Sequence, residues 1–138
     1  MIDHESEFGQ RVLRRLQDDR MTWLTTVDSN GTPQPRPVWF LWTGQDFIVY
    51  SQPDTRKLDH IHENPQVALH LDGDGQGGDI IVLTGEARVD TSIPPANQVS
   101  KYVAKYAWGF ERIGMTAQAF AQNYSVPIRV TPHKLRGH

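Results

Sequence analysis

The chain has 138 residues, a formal net charge of -2 and a pI near 6.3, a length suited to one folding unit and a balance without the basic field that draws nucleic acid or anionic membrane to a whole surface. With no cysteine, disulfides, thiolate metal sites and thiol nucleophiles are excluded together. No apolar run is long enough to span a bilayer and the opening MIDHESEFGQRVLRRL is charged rather than signal-like, so a cytoplasmic location is expected.

Phe8, Val12, Leu13 and Leu16 recur at helical spacing and predict an amphipathic helix over 5–20. MTWLTTV, 21–27, is rich in β-branched and aromatic residues and predicts a strand ended by the hairpin signal Asn30-Gly31. QPRPVWFLW, 34–42, reads as a second strand whose Pro35 and Pro37 cannot donate ladder hydrogen bonds, which places it at an edge, a bulge or a strand start. A turn at 43–46 leads into FIVYS, so 21–51 reads as a three-stranded antiparallel meander. A short helix over 55–63 closes at Asn64-Pro65, and QVALHL, 66–71, gives the next strand. DGDGQGG, 72–78, suits a turn or the close approach of a ligand. DIIVLTGEARV, 79–89, is the longest strand, and Gly85 in its middle marks a bulge or a close backbone approach. Pro94-Pro95 opens a helix with Val99, Tyr102, Val103 and Tyr106 on one face, and 116–124 forms another with Ala117, Phe120 and Tyr124 aligned. VPIRVTPHKLRGH returns the chain to the sheet. Six strands joined by hairpins and inserted helices predict an α+β fold, mainly β, as an antiparallel barrel or sheet in one domain over 1–138. A domain of this size hides more of its apolar surface as a homodimer.

The chemistry concentrates where FIVYS hands over to the short helix. Arg56 and Lys57 occupy its opening turn, where the helix dipole favours acidic residues. Ser51, those two cations and the free amides of the first turn together suit a phosphate, and a bound anion removes the conflict. The competing reading is a pair of solvated surface cations. Beside them, the irregular stretch from Pro35 to Phe40 and the aromatics Trp39 and Trp42 suit a flat ring, although Trp23, Trp39, Phe40 and Trp42 equally suit a core or a dimer interface. A phosphate and a ring at neighbouring sheet edges describe a nucleotide-like cofactor. His60 and His62 lie about 200° apart on a helix and cannot face one ion, and without H-E-x-x-H spacing no metal site is expected. G-x-S-x-G, G-x-x-x-x-G-K-[ST] and G-x-G-x-x-G are all missing, so nucleophile-elbow, P-loop and Rossmann readings lack their signatures.

The order of WLTTVDSNGTPQPRPVWFLWTGQDFIVYSQPDTRKLDHIHENPQVAL and IIVLTGEARV resembles the pyridoxamine 5′-phosphate oxidase-like split β-barrel family, in its branch dependent on the deazaflavin coenzyme F-420. Carrying the likeness are G-x-P-x-x-x-P-V-W-F, S-x-x-x-x-R-K, N-P-x-V-x-L and G-x-A-x-V. The resemblance implies a six-stranded split barrel and a homodimer with cofactor sites at its interface. It implies that Gln34, Pro35, Arg36, Pro37, Val38, Trp39 and Phe40 contact the tricyclic ring, that Ser51, Arg56 and Lys57 hold the phosphate, and that Gly77, Gly78, Asp79 and Ile80 approach the cofactor. The partner subunit is expected to add residues from its C-terminal half, for which Tyr106 and Trp108 are guesses. The implied activity is hydride transfer from reduced F-420 to a small electron-poor organic substrate, a chemistry that asks the protein to stack two planar molecules and exclude water. No catalytic side chain is named, and no Arg and His cluster is placed to hold a substrate phosphate as vitamin B6 oxidation requires. The alternatives are an FMN-dependent oxidoreductase of the same fold and a non-catalytic flavin or tetrapyrrole binding module.

Overall fold

The computed structural model describes residues 1–138. Helix α1 (Glu7–Asp18) begins where the Ser6 hydroxyl accepts from the Gly9 N–H at 2.9 Å, and it buries Val12 and Leu16. Its polar face is tied down by Arg15, which donates to Asp19, to Asp79 at 2.7 Å and to the Asp72 carbonyl at 2.8 Å.

Seven strands follow: β1 (Thr22–Val27), β2 (Pro33–Val38), β3 (Leu41–Trp42), β4 (Phe47–Ser51), β5 (Gln66–His70), β6 (Ile81–Val89) and β7 (Val126–Gly137). They form one antiparallel sheet in the order β2-β1-β5-β6-β7-β4-β3, curled into a half-barrel with helices at its periphery. The α+β expectation holds, with seven strands in place of six. Pro35 and Pro37 sit on β2, opposite Thr25 and Trp23, and β2 pairs with β1 alone. An edge position leaves a missing donor without consequence. Gly85 marks the break in register between β6 and β7, and a Cβ there would run into the Thr131 carbonyl. Both readings, a bulge and a close approach, apply to that one residue.

The meander expected over 21–51 does not form. Residues 34–42 divide into β2 and β3, which lie at opposite edges of the sheet, and only the β1–β2 and β3–β4 hairpins are made. The chain crosses over at Trp39-Phe40, where ladder bonds are replaced by a side chain. The Tyr106 hydroxyl accepts from the Phe40 N–H at 2.8 Å and lies 2.9 Å from the Phe40 carbonyl, which also accepts from Lys105 Nζ at 2.9 Å. Backbone groups satisfied in this way let a strand stop without stranding buried amides.

Helix α2 (Arg56–Glu63) packs on β1 and β6 through Ile61 and Leu58. After Pro94-Pro95 a 3-10 turn, Ala96–Gln98, precedes α3 (Ser100–Arg112), and α4 (Ala117–Asn123) starts at Thr116, whose hydroxyl accepts from the Ala119 N–H at 3.0 Å. Two apolar clusters result. One is aliphatic and lies within the curled sheet, around Leu24, Leu69, Leu83 and Ile128. The other is aromatic and joins α3 and α4 to β3 and β4 through Tyr50, Tyr102, Tyr106, Phe110 and Phe120. No helix is long and apolar enough to cross a membrane.

Candidate functional site

Strand β4 ends at Ser51, and a turn containing Asp54 at a φ of 60° leads to α2. Ser51 is 1% exposed. Its hydroxyl donates to the Gln52 carbonyl at 2.8 Å and shares a hydrogen bond with Thr55 Oγ1 at 3.2 Å. The serine therefore holds the turn from beneath. By engaging Thr55, it also removes the natural cap: the Thr55 side chain makes no capping bond to α2. The first-turn amides keep their partial positive charge free of any side-chain acceptor.

Lys57 lies half-buried at this corner, and burial together with the neighbouring Arg36 pushes its ammonium below the ordinary lysine range. Arg36 is likewise lowered by burial. It donates to Thr26 Oγ1 at 2.9 Å, and that hydroxyl shares a second hydrogen bond with His60 Nδ1 at 2.8 Å. Neither cation has a carboxylate partner, whereas Arg11, Arg15, Arg88 and Arg129 all do. Two desolvated like charges side by side are what an anion would relieve.

Two concavities flank the corner. The first is an apolar cleft of about 490 Å³, within the range of small-molecule sites. Pro37, Val38 and Trp39 form one wall, Tyr102, Phe120 and Tyr124 another, and Lys57 and Arg20 are its two charged residues. Tyr50 also lines it; burial pushes its phenol up to about 12, and its hydroxyl donates to the Pro94 carbonyl at 2.6 Å. The second is a polar recess of about 440 Å³ that takes Gln34, Arg36 and Arg56 beside Asp28, Asp59 and His60. Strand alternation explains part of the division, since Gln34 and Arg36 share a face of β2. Thus Pro37, Val38, Trp39 and Lys57 come together as the sequence suggests, and Gln34, Arg36 and Arg56 gather next door.

The remaining expected residues lie elsewhere. Phe40 has no exposed surface and packs on Phe47 in the sheet's interior, so it walls no ligand site. Pro35 lines neither concavity. Gly77, Gly78, Asp79 and Ile80 also line neither. Asp79 is gripped by Arg11 and Arg15, and the Ile80 N–H donates to the His138 carbonyl at 3.0 Å. Within one chain this loop stands at the start of β6, whereas the Ser51 corner adjoins its end: Ile81 faces Gly137, while Val89 faces Ile128, two residues from the partner of Ser51. The stretches the sequence reading left aside are Arg20, Met21, Tyr50 and the α3–α4 wall. Their signal was present in the aligned Tyr102, Tyr106, Phe120 and Tyr124, but which strands those faces cover was not local information.

Residues 8–138 match the family model described as pyridoxamine 5′-phosphate oxidase. The chain belongs to that family. Among solved structures, this family member is similar to a putative pyridoxamine 5′-phosphate oxidase from Listeria innocua, with 20% identity, 92% of this chain and 94% of that chain covered, and a TM-score of 0.67. It is similar to an F420 reductase, with 23% identity, 89% and 94% covered and a TM-score of 0.65. It is also similar to the heme storage protein HutZ from Vibrio cholerae, with 17% identity, 93% of each chain covered and a TM-score of 0.62. No curated protein matches the chain. At these identities the structural neighbours speak for the split-barrel fold.

Proposed function

We propose that this chain is an oxidoreductase that holds a flavin-type cofactor in the apolar cleft, the deazaflavin F-420 in preference to FMN, and transfers hydride to a small electron-poor organic substrate. The observation that carries this reading is Lys57, a desolvated cation with no carboxylate partner, standing at the cleft beside Arg36 and the uncapped start of α2. An anionic group there would neutralise Lys57 and accept from the first-turn amides. When bound, the cofactor supplies the hydride chemistry.

The protein's own contribution is placement and dryness. Pro37, Val38 and Trp39 would lie along the ring, and Tyr102, Phe120 and Tyr124 would keep water from its other side. The preference for F-420 rests on the branch the sequence resembles and on the F420 reductase among the structural neighbours. A heme-binding reading draws no support from the cleft, because no histidine lines it. As the homodimer that the resemblance implies, the protein would have this cleft at the subunit interface.

The deciding experiment is a side-by-side fluorescence titration of the protein with F-420 and FMN, repeated with Lys57→Ala. Saturable F-420 binding, weakened by about 1–3 kcal/mol in the variant, is expected for loss of a charge-assisted contact. FMN binding more tightly than F-420 would transfer the proposal to FMN. Binding of neither, or indifference to the loss of Lys57, would remove the reading.

A further inference from the structure

The cleft has a second pole that the cofactor reading leaves unused. Arg20 follows α1 and its guanidinium lies 4.1 Å above the ring of Trp108. The backbone beneath is fixed, because the Tyr106 hydroxyl donates to the Arg20 carbonyl at 2.7 Å. The Arg20 side chain makes no ion pair with any carboxylate, and Asp and Glu do not line the cleft at all. Under it, Trp108 rests against Trp39 at 5.9 Å between ring centroids and carries the unpartnered Nε1. A buried donor with no partner is rare in native proteins and calls for an acceptor.

The two cationic poles stand against different parts of the β1–β2 pair. Lys57 neighbours Arg36, which faces Leu24, whereas Thr22 faces Val38 and Arg20 stands two residues before Thr22. The two cations thus have different neighbours, Arg36 for Lys57 and the Trp108 ring for Arg20. Between the poles the walls are aromatic and aliphatic.

The geometry points to Arg20 and Trp108 as the specificity determinants for the second ligand of this cleft, a planar conjugated molecule carrying a carboxylate. The guanidinium fork would take the two carboxylate oxygens and the indole N–H would add a third donor, while the conjugated body lies along Trp39. This inference rests on the proposed function for the assignment of Lys57 to the cofactor, and it deepens that reading by naming the substrate class. Arg20 and Trp108 are positioning and recognition residues, with no role in bond making.

The test is calorimetric titration of the full chain with cinnamate and with cinnamamide, which share a planar body and differ in charge. Cinnamate is expected to bind about tenfold or more tightly than the amide, the range for a charge-assisted hydrogen bond. Arg20→Gln should reduce that preference to near unity. Trp108→Phe, which keeps a ring under Arg20 but removes the N–H, should lower it in part. Arg20 is exposed, so its substitution does not put folding at risk. Equal binding of the two probes by the natural protein would overturn the inference. So would a preference that survives Arg20→Gln but disappears in Lys57→Ala, since the carboxylate would then sit at the other pole. The cofactor titration reads Lys57 independently, so failure of the cofactor reading and failure of this one give different patterns.

Discussion

The two apolar clusters of this molecule meet at β3 and β4 but are built to different ends. Inside the curled sheet, Leu24, Leu69, Leu83, Ile81 and Ile128 are all 1% exposed or less and meet one another through regular strand alternation. Across the sheet's other face, rings dominate. Trp39 stacks on Tyr106 at 4.6 Å and on Phe120 at 5.5 Å, and Phe120 stacks on Tyr124 at 4.4 Å. Aliphatic side chains interdigitate and close on themselves, whereas flat rigid rings leave slots where their edges diverge. The first cluster therefore carries the stability of the sheet, and the second carries a cleft.

The largest effect expected from that contrast is in the aliphatic cluster. Leu69 is 1% exposed and lies on β5 between β1 and β6. Leu69→Ala should cost about 2–5 kcal/mol of unfolding free energy in a urea titration, since the site is walled by sheet on both sides and collapses poorly. A loss under about 1 kcal/mol would mean that the cluster is not the closed core described here.

How much of this was legible in sequence differs between the two clusters for the same reason. Period-two alternation in β1, β5 and β6 is local, and so are the edge prolines and Gly85, so their positions could be read directly. The split of 34–42 was not local. It depends on Tyr106, 66 residues downstream of Phe40, supplying the acceptor for the Phe40 N–H that lets β2 stop. Once the strand is cut there, Trp39 turns to the rings and Phe40 to the interior, so a single stretch read as one cofactor wall serves two clusters. The bonds of Ser51 were not legible for a related reason: a hydroxyl at a strand end looks free in sequence, but the turn's geometry commits it to Gln52 and Thr55. The conflict of Lys57 with the helix dipole, by contrast, is written in the helix itself.

A smaller effect, moved from stability to binding, is expected in the aromatic cluster. Gly109 lies in α3, and a Cβ added there would come 2.6 Å from the outer edge of the Trp39 ring. Gly109→Ala gains up to about 1 kcal/mol of helix propensity, against about 1–3 kcal/mol for the displaced ring. The urea midpoint should consequently move little, while cofactor affinity falls because Trp39 is pushed toward the cleft. An unchanged titration in this variant would place the ligand away from Trp39; a stability loss as large as that of Leu69→Ala would erase the distinction between the clusters.

The smallest effect concerns the seam where the clusters meet. Lys105 donates to the Phe40 carbonyl, sits 3.8 Å from the centre of the Phe40 ring, and is lowered by burial to about 8 against an ordinary lysine value of about 10.4. Asp19 and Asp18 oppose that shift without cancelling it. A lysine whose folded value is depressed penalises the native state while it is charged in both states, below about pH 8. The penalty is relieved as pH rises from there toward the unfolded value, because the native amine then loses its proton more readily than the unfolded one. The neutral amine still donates to Phe40, so the crossover is kept. The natural protein should therefore gain stability relative to Lys105→Met between pH 7 and 9.5, read as the difference between their melting temperatures. Taking that difference matters because burial raises Tyr102 and Tyr106, and their unfolded-state ionisation lowers the stability of both proteins above pH 10. A gap that stays constant over the window would show that Lys105 is solvated, and that the seam at Phe40 is held by the Tyr106 hydroxyl alone.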